Sequence, residues 1–135
     1  MPFVYHRTVR FADTDAAGVV FFANYLALCH EAYEEALSQA GVELGSFFKA
    51  SGLVIPIAKS EASYLRPLLP GDKLKIVCTP ALLTADSFEL KFDLYKLGPP
   101  EKIAAKLRTE HVCISSDTRG RMPLDPLIAS WVKAG

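Results

Sequence analysis

The chain has 135 residues, half of them hydrophobic, with 15 basic side chains balanced by 15 acidic ones. That length holds one compact domain, residues 1–135, with enough apolar material for a real core and no room for a second. The charge balance excludes a net field toward nucleic acid or an anionic membrane surface, so any anionic ligand must be held by local charges.

Cys29, Cys78 and Cys113 sit in apolar runs without CxxC spacing, unlike a disulfide framework or a zinc site, and read as reduced, buried thiols. The amino terminus lacks the apolar centre of a signal peptide, and no apolar run approaches the roughly 18 residues of a membrane span. A soluble, cytoplasmic protein is expected.

From Phe3 to Phe11, the residues Phe3, Tyr5, Val9 and Phe11 share one face at period two, with Arg7 interrupting, which predicts a first strand. From Asn24 to Ala40, apolar residues recur at Tyr25, Leu26, Cys29, Ala32, Tyr33, Ala36, Leu37 and Ala40, the spacing of an amphipathic helix. Asn24 is placed to cap that helix and Gly41 to close it, giving about four turns. Strands follow at Leu53–Leu65, Lys73–Leu83, Ser87–Leu97 and Lys102–Ser115. The third alternates most cleanly, with Phe88, Leu90, Phe92 and Leu94 between Glu89, Lys91, Asp93 and Tyr95. Short breaks at Pro67, Pro70-Gly71-Asp72, Thr84-Ala85-Asp86 and Gly98-Pro99-Pro100 favour antiparallel neighbours. Pro56 and Pro80 predict a bulge or an early strand end. Asp125 and Pro126 suit the cap and first position of a short final helix. One long helix among these strands predicts an α+β fold, an antiparallel five-stranded sheet wrapped around the helix. Its edge strands would need protection, which dimerisation by edge pairing supplies.

The least ordinary stretch is Phe11-Ala12-Asp13-Thr14-Asp15-Ala16-Ala17-Gly18-Val19-Val20-Phe21-Phe22-Ala23-Asn24-Tyr25. A carboxylate held just before a helix lies beside that helix's unpaired N–H groups and positive dipole end. The pairing offers both halves of acyl transfer, a base or nucleophile and an oxyanion site. The same residues also suit plain turn capping, and spacing alone does not separate the two.

That stretch, followed by His30-Glu31-Ala32-Tyr33-Glu34, resembles the 4-hydroxybenzoyl-CoA thioesterase type of the hotdog superfamily. The likeness runs from about Phe3 to Ser115 and includes Tyr64-Leu65-Arg66-Pro67 and Gly71-Asp72. Cys29-His30-Glu31-Ala32-Tyr33-Glu34 and His111-Val112-Cys113-Ile114 are more particularly similar to the 1,4-dihydroxy-2-naphthoyl-CoA hydrolases of phylloquinone biosynthesis in cyanobacteria. The resemblance implies that Asp15 is the catalytic carboxylate, acting as nucleophile or general base, and that the backbone N–H of Phe22, seven positions later, polarises the thioester carbonyl. It also implies an acyl-CoA substrate, no cofactor, no metal, and a homo-oligomer built as a dimer of dimers. Phe21 and Tyr25, with Phe22, are the expected apolar wall of the acyl pocket. Asp13 is expected to position the loop.

One departure stands out. Where better-known members carry a basic cluster for the CoA phosphates, this chain reads Thr84-Ala85-Asp86-Ser87, which leaves Arg66, Lys59, Arg119 and Arg121 as candidates. Glu31 is the rival to Asp15, since another branch of hotdog thioesterases uses a helical Glu. His6, His30 and His111 share no metal-ligand spacing, and no nucleophile elbow is present. Two other functions fit the same residues: hydrolysis of aliphatic acyl-CoA or acyl-carrier-protein thioesters, and acyl-CoA binding without catalysis.

Overall fold

The computed structural model describes residues 2–135. Strand β1 (Phe3–Thr8) leads through a short 3-10 turn to helix α1 (Phe22–Gln39), then to a small helix α2 (Phe47–Ser51) and strand β2 (Leu53–Val54). Strands β3 (Ile57–Tyr64), β4 (Lys73–Thr84), β5 (Ser87–Lys96), β6 (Lys102–Val112) and β7 (Ile114–Ser115) follow, and helix α3 (Pro126–Ala134) ends the chain. Five strands form one antiparallel sheet in the order β1-β4-β5-β6-β3, and β2 pairs with β7 in a separate two-stranded sheet. This is the hotdog arrangement expected from the sequence.

Face alternation sets the register. Phe88, Leu90, Phe92 and Leu94 of β5 are all buried on one face of the sheet, with Phe92 opposite Cys78 of β4 and Leu107 of β6. Burying one such side chain contributes about 1.5 to 3 kcal/mol, whereas strand propensities differ by only about 1 kcal/mol, so a one-residue slip would cost more than any propensity returns. From α1, Leu28, Cys29, Ala32, Tyr33, Ala36 and Leu37 meet that face. All three cysteines are free and buried.

Several elements differ from the sequence reading. Helix α1 begins two residues earlier and has 18 residues, about five turns. Its N-cap is Phe21, so Asn24 lies inside the first turn and is not the cap. The first strand ends at Thr8, and Phe11 is exposed in the 3-10 turn, because Val9 leaves β4 to exchange backbone bonds with Gly71 and Asp72. The stretch Leu53–Leu65 is split at Ile55-Pro56, as proline requires, with its two halves in different sheets. Pro80, by contrast, sits within β4 opposite Leu90, beyond the Phe3–Cys78 pair that ends the pairing with β1, so its missing N–H leaves no gap in that pairing. The final helix starts as expected, with the Asp125 carboxylate accepting the Leu127 N–H at 2.9 Å. Among the described residues, no helix is long and apolar enough to cross a membrane.

Candidate active site

The chain from β1 to α1 is folded by its own polar groups. Asp13 accepts the Arg10 N–H at 2.8 Å and closes the 3-10 turn. A bridge between Thr14 and Val20 then draws the loop's two arms together. Within it, the Asp15 N–H donates to the Val19 carbonyl and the Gly18 N–H to the Asp15 carbonyl, each at 3.0 Å. Gly18 turns the chain at φ +81°, a conformation that strains side chains with a Cβ. The carbonyl of Asp13 anchors the far end, receiving the Phe21 N–H at 3.1 Å and the Asn24 Nδ2–H at 2.9 Å. Asn24 thus ties the helix to the loop from inside the first turn.

The two carboxylates of this loop have opposite surroundings. The Arg7 guanidinium ion-pairs with Asp13 and also reaches Glu31, through Nε at 3.0 Å and Nη2 at 3.1 Å. Burial works against the ionised form of Asp13, but the bonds from Arg7 and the Arg10 N–H outweigh it and hold the carboxyl below its ordinary range. Asp13 is therefore an occupied structural anion. Asp15 is exposed, and its Oδ1 accepts only the Ala17 N–H at 2.8 Å. Its other oxygen has no hydrogen-bond partner, and it pairs with no cation, among the described residues. Glu31, the rival carboxylate, is bound by the Tyr5 hydroxyl at 3.0 Å as well as by Arg7.

Helix α1 starts without a side-chain cap at Phe21. Among the described residues no acceptor receives the N–H of Phe22 or Ala23, whereas the Asn24 N–H reaches the Phe21 carbonyl at 2.8 Å. Two donors at the positive end of an 18-residue helix are thus open, on the same loop as an open carboxylate. Phe21 and Phe22 are 40% and 62% exposed, large apolar side chains left uncovered. Their rings meet at 4.9 Å, and Tyr64 stands edge-on to Phe22 at 6.4 Å and to Tyr25 at 5.0 Å. A cleft of about 260 Å³ lies here, walled by Phe22, Tyr25, Tyr64, Leu65 and Arg66 among others, with Asp15 outside its wall.

Of the residues read from the sequence, Phe22, Tyr25 and Arg66 meet at this cleft, while Asp15 and Phe21 lie on the chain leading into α1 and outside the cleft wall. Tyr25 is mostly core, 4% exposed, with its hydroxyl directed to the Arg66 carbonyl at 3.4 Å. Of the four basic candidates, Lys59 is engaged by Glu61 at 3.0 Å and Arg121 by Asp86 at 3.0 Å. Arg66 and Arg119 make no ion pair among the described residues. Burial raises the Cys29 and Cys78 thiols well above their ordinary range, so neither supplies a thiolate. Sequence reasoning missed the roles of Arg7 and Tyr64. A lone Arg on the inward face of a strand was the available signal for the first.

A family model of the thioesterase-like superfamily matches residues 9–132. A 1,4-dihydroxy-2-naphthoyl-CoA hydrolase of Thermosynechococcus vestitus is 45% identical over 130 residues, covering 96% of this chain and 88% of that protein. One from Rippkaea orientalis is 44% identical, covering 96% of this chain and 94% of its own. Among solved structures, a 1,4-dihydroxy-2-naphthoyl-CoA thioesterase from Synechocystis superposes with TM-score 0.93 at 30% identity, covering 98% of this chain and 96% of that one.

Proposed function

Because the chain belongs to the thioesterase-like superfamily and is an acyl-CoA thioesterase, we propose that its substrate is 1,4-dihydroxy-2-naphthoyl-CoA. The reaction would release the naphthoate and free CoA in phylloquinone biosynthesis, in the cytoplasm, with residues 1–135 as one catalytic unit. The observation that carries the chemistry is the uncapped start of α1, with open N–H groups at Phe22 and Ala23, on the same loop as the unpaired Asp15 carboxylate.

In this reading the thioester carbonyl oxygen lies on the Phe22 N–H, where negative charge develops as the carbonyl carbon becomes tetrahedral. Asp15 either attacks that carbon or takes a proton from the water that does. If Asp15 attacks, the C–S bond breaks to leave a mixed anhydride on Asp15, which water then hydrolyses to the acid, its proton passing to the thiolate. If Asp15 is the base, the water oxygen bonds the carbon, the C–S bond breaks, and the proton held by Asp15 passes to the departing sulfur, so that either way CoA leaves as the thiol. No cofactor enters the step. Phe22 and Tyr25 in the cleft wall, with the exposed Phe21 ring against Phe22, supply apolar surface for the aromatic acyl group, and the guanidinium of Arg66, which makes no ion pair among the described residues, stands at the same cleft to meet anionic CoA. Glu31, already held by Arg7 and Tyr5, is the less available carboxylate.

We also place the working enzyme in an even-numbered assembly. Strand β3 ends the sheet and exposes Ile57 at one end and Tyr64 at the other, Tyr64 lying beside the exposed Phe22 and Leu65. An unpaired edge beside exposed apolar groups favours a second copy as cover. The native mass should be an even multiple of 14.8 kDa, and a fully active monomer would contradict the placement.

The substrate is tested by comparing kcat/KM, from thiol release, for 1,4-dihydroxy-2-naphthoyl-CoA, benzoyl-CoA and acetyl-CoA. The expected order is as written. A preference for acetyl-CoA would leave the thioesterase assignment standing and refute the naphthoyl substrate.

A further inference from the structure

Strand β1 packs Phe3 and Tyr5 against the core, and the next position on that face is Arg7. Its side chain is only 13% exposed. A guanidinium carries five N–H bonds in one plane, and here each of them has an acceptor. Nε donates to Glu31 Oε1 at 3.0 Å, and Nη2 to the other oxygen of Glu31 at 3.1 Å. Nη2 also meets Asp13 Oδ1 at 3.3 Å, while Nη1 bonds Asp13 Oδ2 and, at 3.1 Å, the Thr8 carbonyl. One side chain thus forks two carboxylates at once, one on the loop and one on α1.

Stability alone does not account for such a cluster. Replacing a shielded group of ions by apolar side chains is often neutral or stabilising, and the alternation of β1 would place an apolar residue at this position. What the fork adds is fixed geometry. It pins Asp13, and Asp13 opens the arm that carries Asp15. Residues 13–15 pair with residues 19–21 in a short antiparallel ladder: the Asp13 carbonyl receives the Phe21 N–H, Thr14 bridges Val20, and the Asp15 N–H bonds the Val19 carbonyl. The Phe22 N–H is set by the helix itself. The Asp15 carboxylate has no such frame, since it is exposed and bonds only the Ala17 N–H, inside its own loop. Its place relative to the helix depends on the ladder and on the clamp at Asp13, which is tied through Arg7 to Glu31, about 13 Å along α1 from Phe22 at 1.5 Å per residue.

We propose that Arg7 is a positioning residue for thioester hydrolysis: by pinning Asp13 to β1 and α1 together, it holds the Asp15 carboxylate in line with the Phe22 N–H. It acts through Asp13 and not on the substrate. The proposal rests on the reading of Asp15 as the working carboxylate. Lysine cannot take over this role, because its three N–H bonds radiate from one nitrogen and cannot fork two carboxylates.

The test is a double-mutant cycle of Arg7→Lys and Asp15→Asn, with kcat and KM measured on whichever of the three thioesters above the wild type cleaves fastest. Arg7→Lys should lose roughly tenfold in kcat and keep KM within about twofold of the wild type, as expected when a reacting group is misplaced but binding is not. In the Asp15→Asn background the same change should move kcat by less than about twofold, because the carboxylate that Arg7 aligns no longer carries its charge. A residue that only held the fold together would lower kcat by the same factor in both backgrounds. Equal factors, wild-type kcat in Arg7→Lys, or a loss that falls on KM instead would each overturn the proposal and leave the Asp15 reading standing. If circular dichroism shows Arg7→Lys unfolded, Asp13→Asn, which breaks the same fork from the other side, replaces it in the cycle with the same expectations. Wild-type turnover in Asp15→Asn would overturn the Asp15 reading and this proposal together.

Discussion

The two ends of α1 are built in opposite ways. At the C-terminal end, Gly41 adopts φ +96°, its N–H bonds the Ser38 carbonyl at 3.1 Å, and the Val42 N–H bonds the Leu37 carbonyl at 3.0 Å. This double closure satisfies the last carbonyls, and Val42 is buried behind it. At the N-terminal end no side chain caps the helix, the Phe22 and Ala23 N–H groups face no acceptor among the described residues, and two phenylalanines are uncovered. A side-chain cap is typically worth about 1 kcal/mol. Its absence at one end of a helix closed at the other leaves the Phe22 and Ala23 N–H groups free for the oxyanion role proposed for them.

The largest effect should come from filling the open end. Phe22→Pro removes the N–H without breaking the helix, because proline is favoured at the first helical position and Phe21 already has φ −62° and ψ 134°, as a residue before proline requires. Turnover should fall about 10²- to 10³-fold, the cost of losing an oxyanion donor, while Phe22→Ala, which keeps the N–H, should lose far less. Steady-state kinetics on both variants, with circular dichroism to confirm the fold, checks this. Equal losses would assign the role to the ring and not to the backbone.

At the closed end the effect is on stability alone. Gly41→Ala meets no neighbouring atom within 4 Å but must hold φ +96° with a Cβ, at a cost of about 1 to 2 kcal/mol. Urea unfolding should show the loss with kcat unchanged. Reduced kcat without reduced stability would erase the contrast between the two ends.

Much of this contrast was legible in the sequence, and the reasons for the misses are physical. Gly41 closing the helix, the alternation of β5 and the Asp125 cap follow from local rules, and each appears as read. Asn24 was misplaced because its usual preference as a cap is local, whereas here the Asp13 carbonyl, 11 residues back, captures its side chain. Arg7 looked like an interruption of β1 because its partners, Asp13 and Glu31, come together only in the folded chain. Lys59 and Arg121 suit phosphate by charge alone, but in the fold each is paired, with Glu61 and Asp86 respectively.

Within the open end itself, two carboxylates two residues apart have different surroundings: Asp13 holds the loop through Arg7 and Arg10, and Asp15, left unpaired, is the one proposed to perform the chemistry. The most direct test is turnover of the aromatic acyl-CoA by Asp15→Asn beside Glu31→Gln, with KM and the melting temperature recorded for each. Asp15→Asn should lose at least about 10²-fold in kcat with KM and stability nearly kept, because it removes a charge that makes a single hydrogen bond to the protein. Glu31→Gln should weaken the fold through Arg7 and Tyr5 and retain most of the turnover. Wild-type turnover in Asp15→Asn together with its abolition in Glu31→Gln would contradict the account and move the chemistry onto the helix.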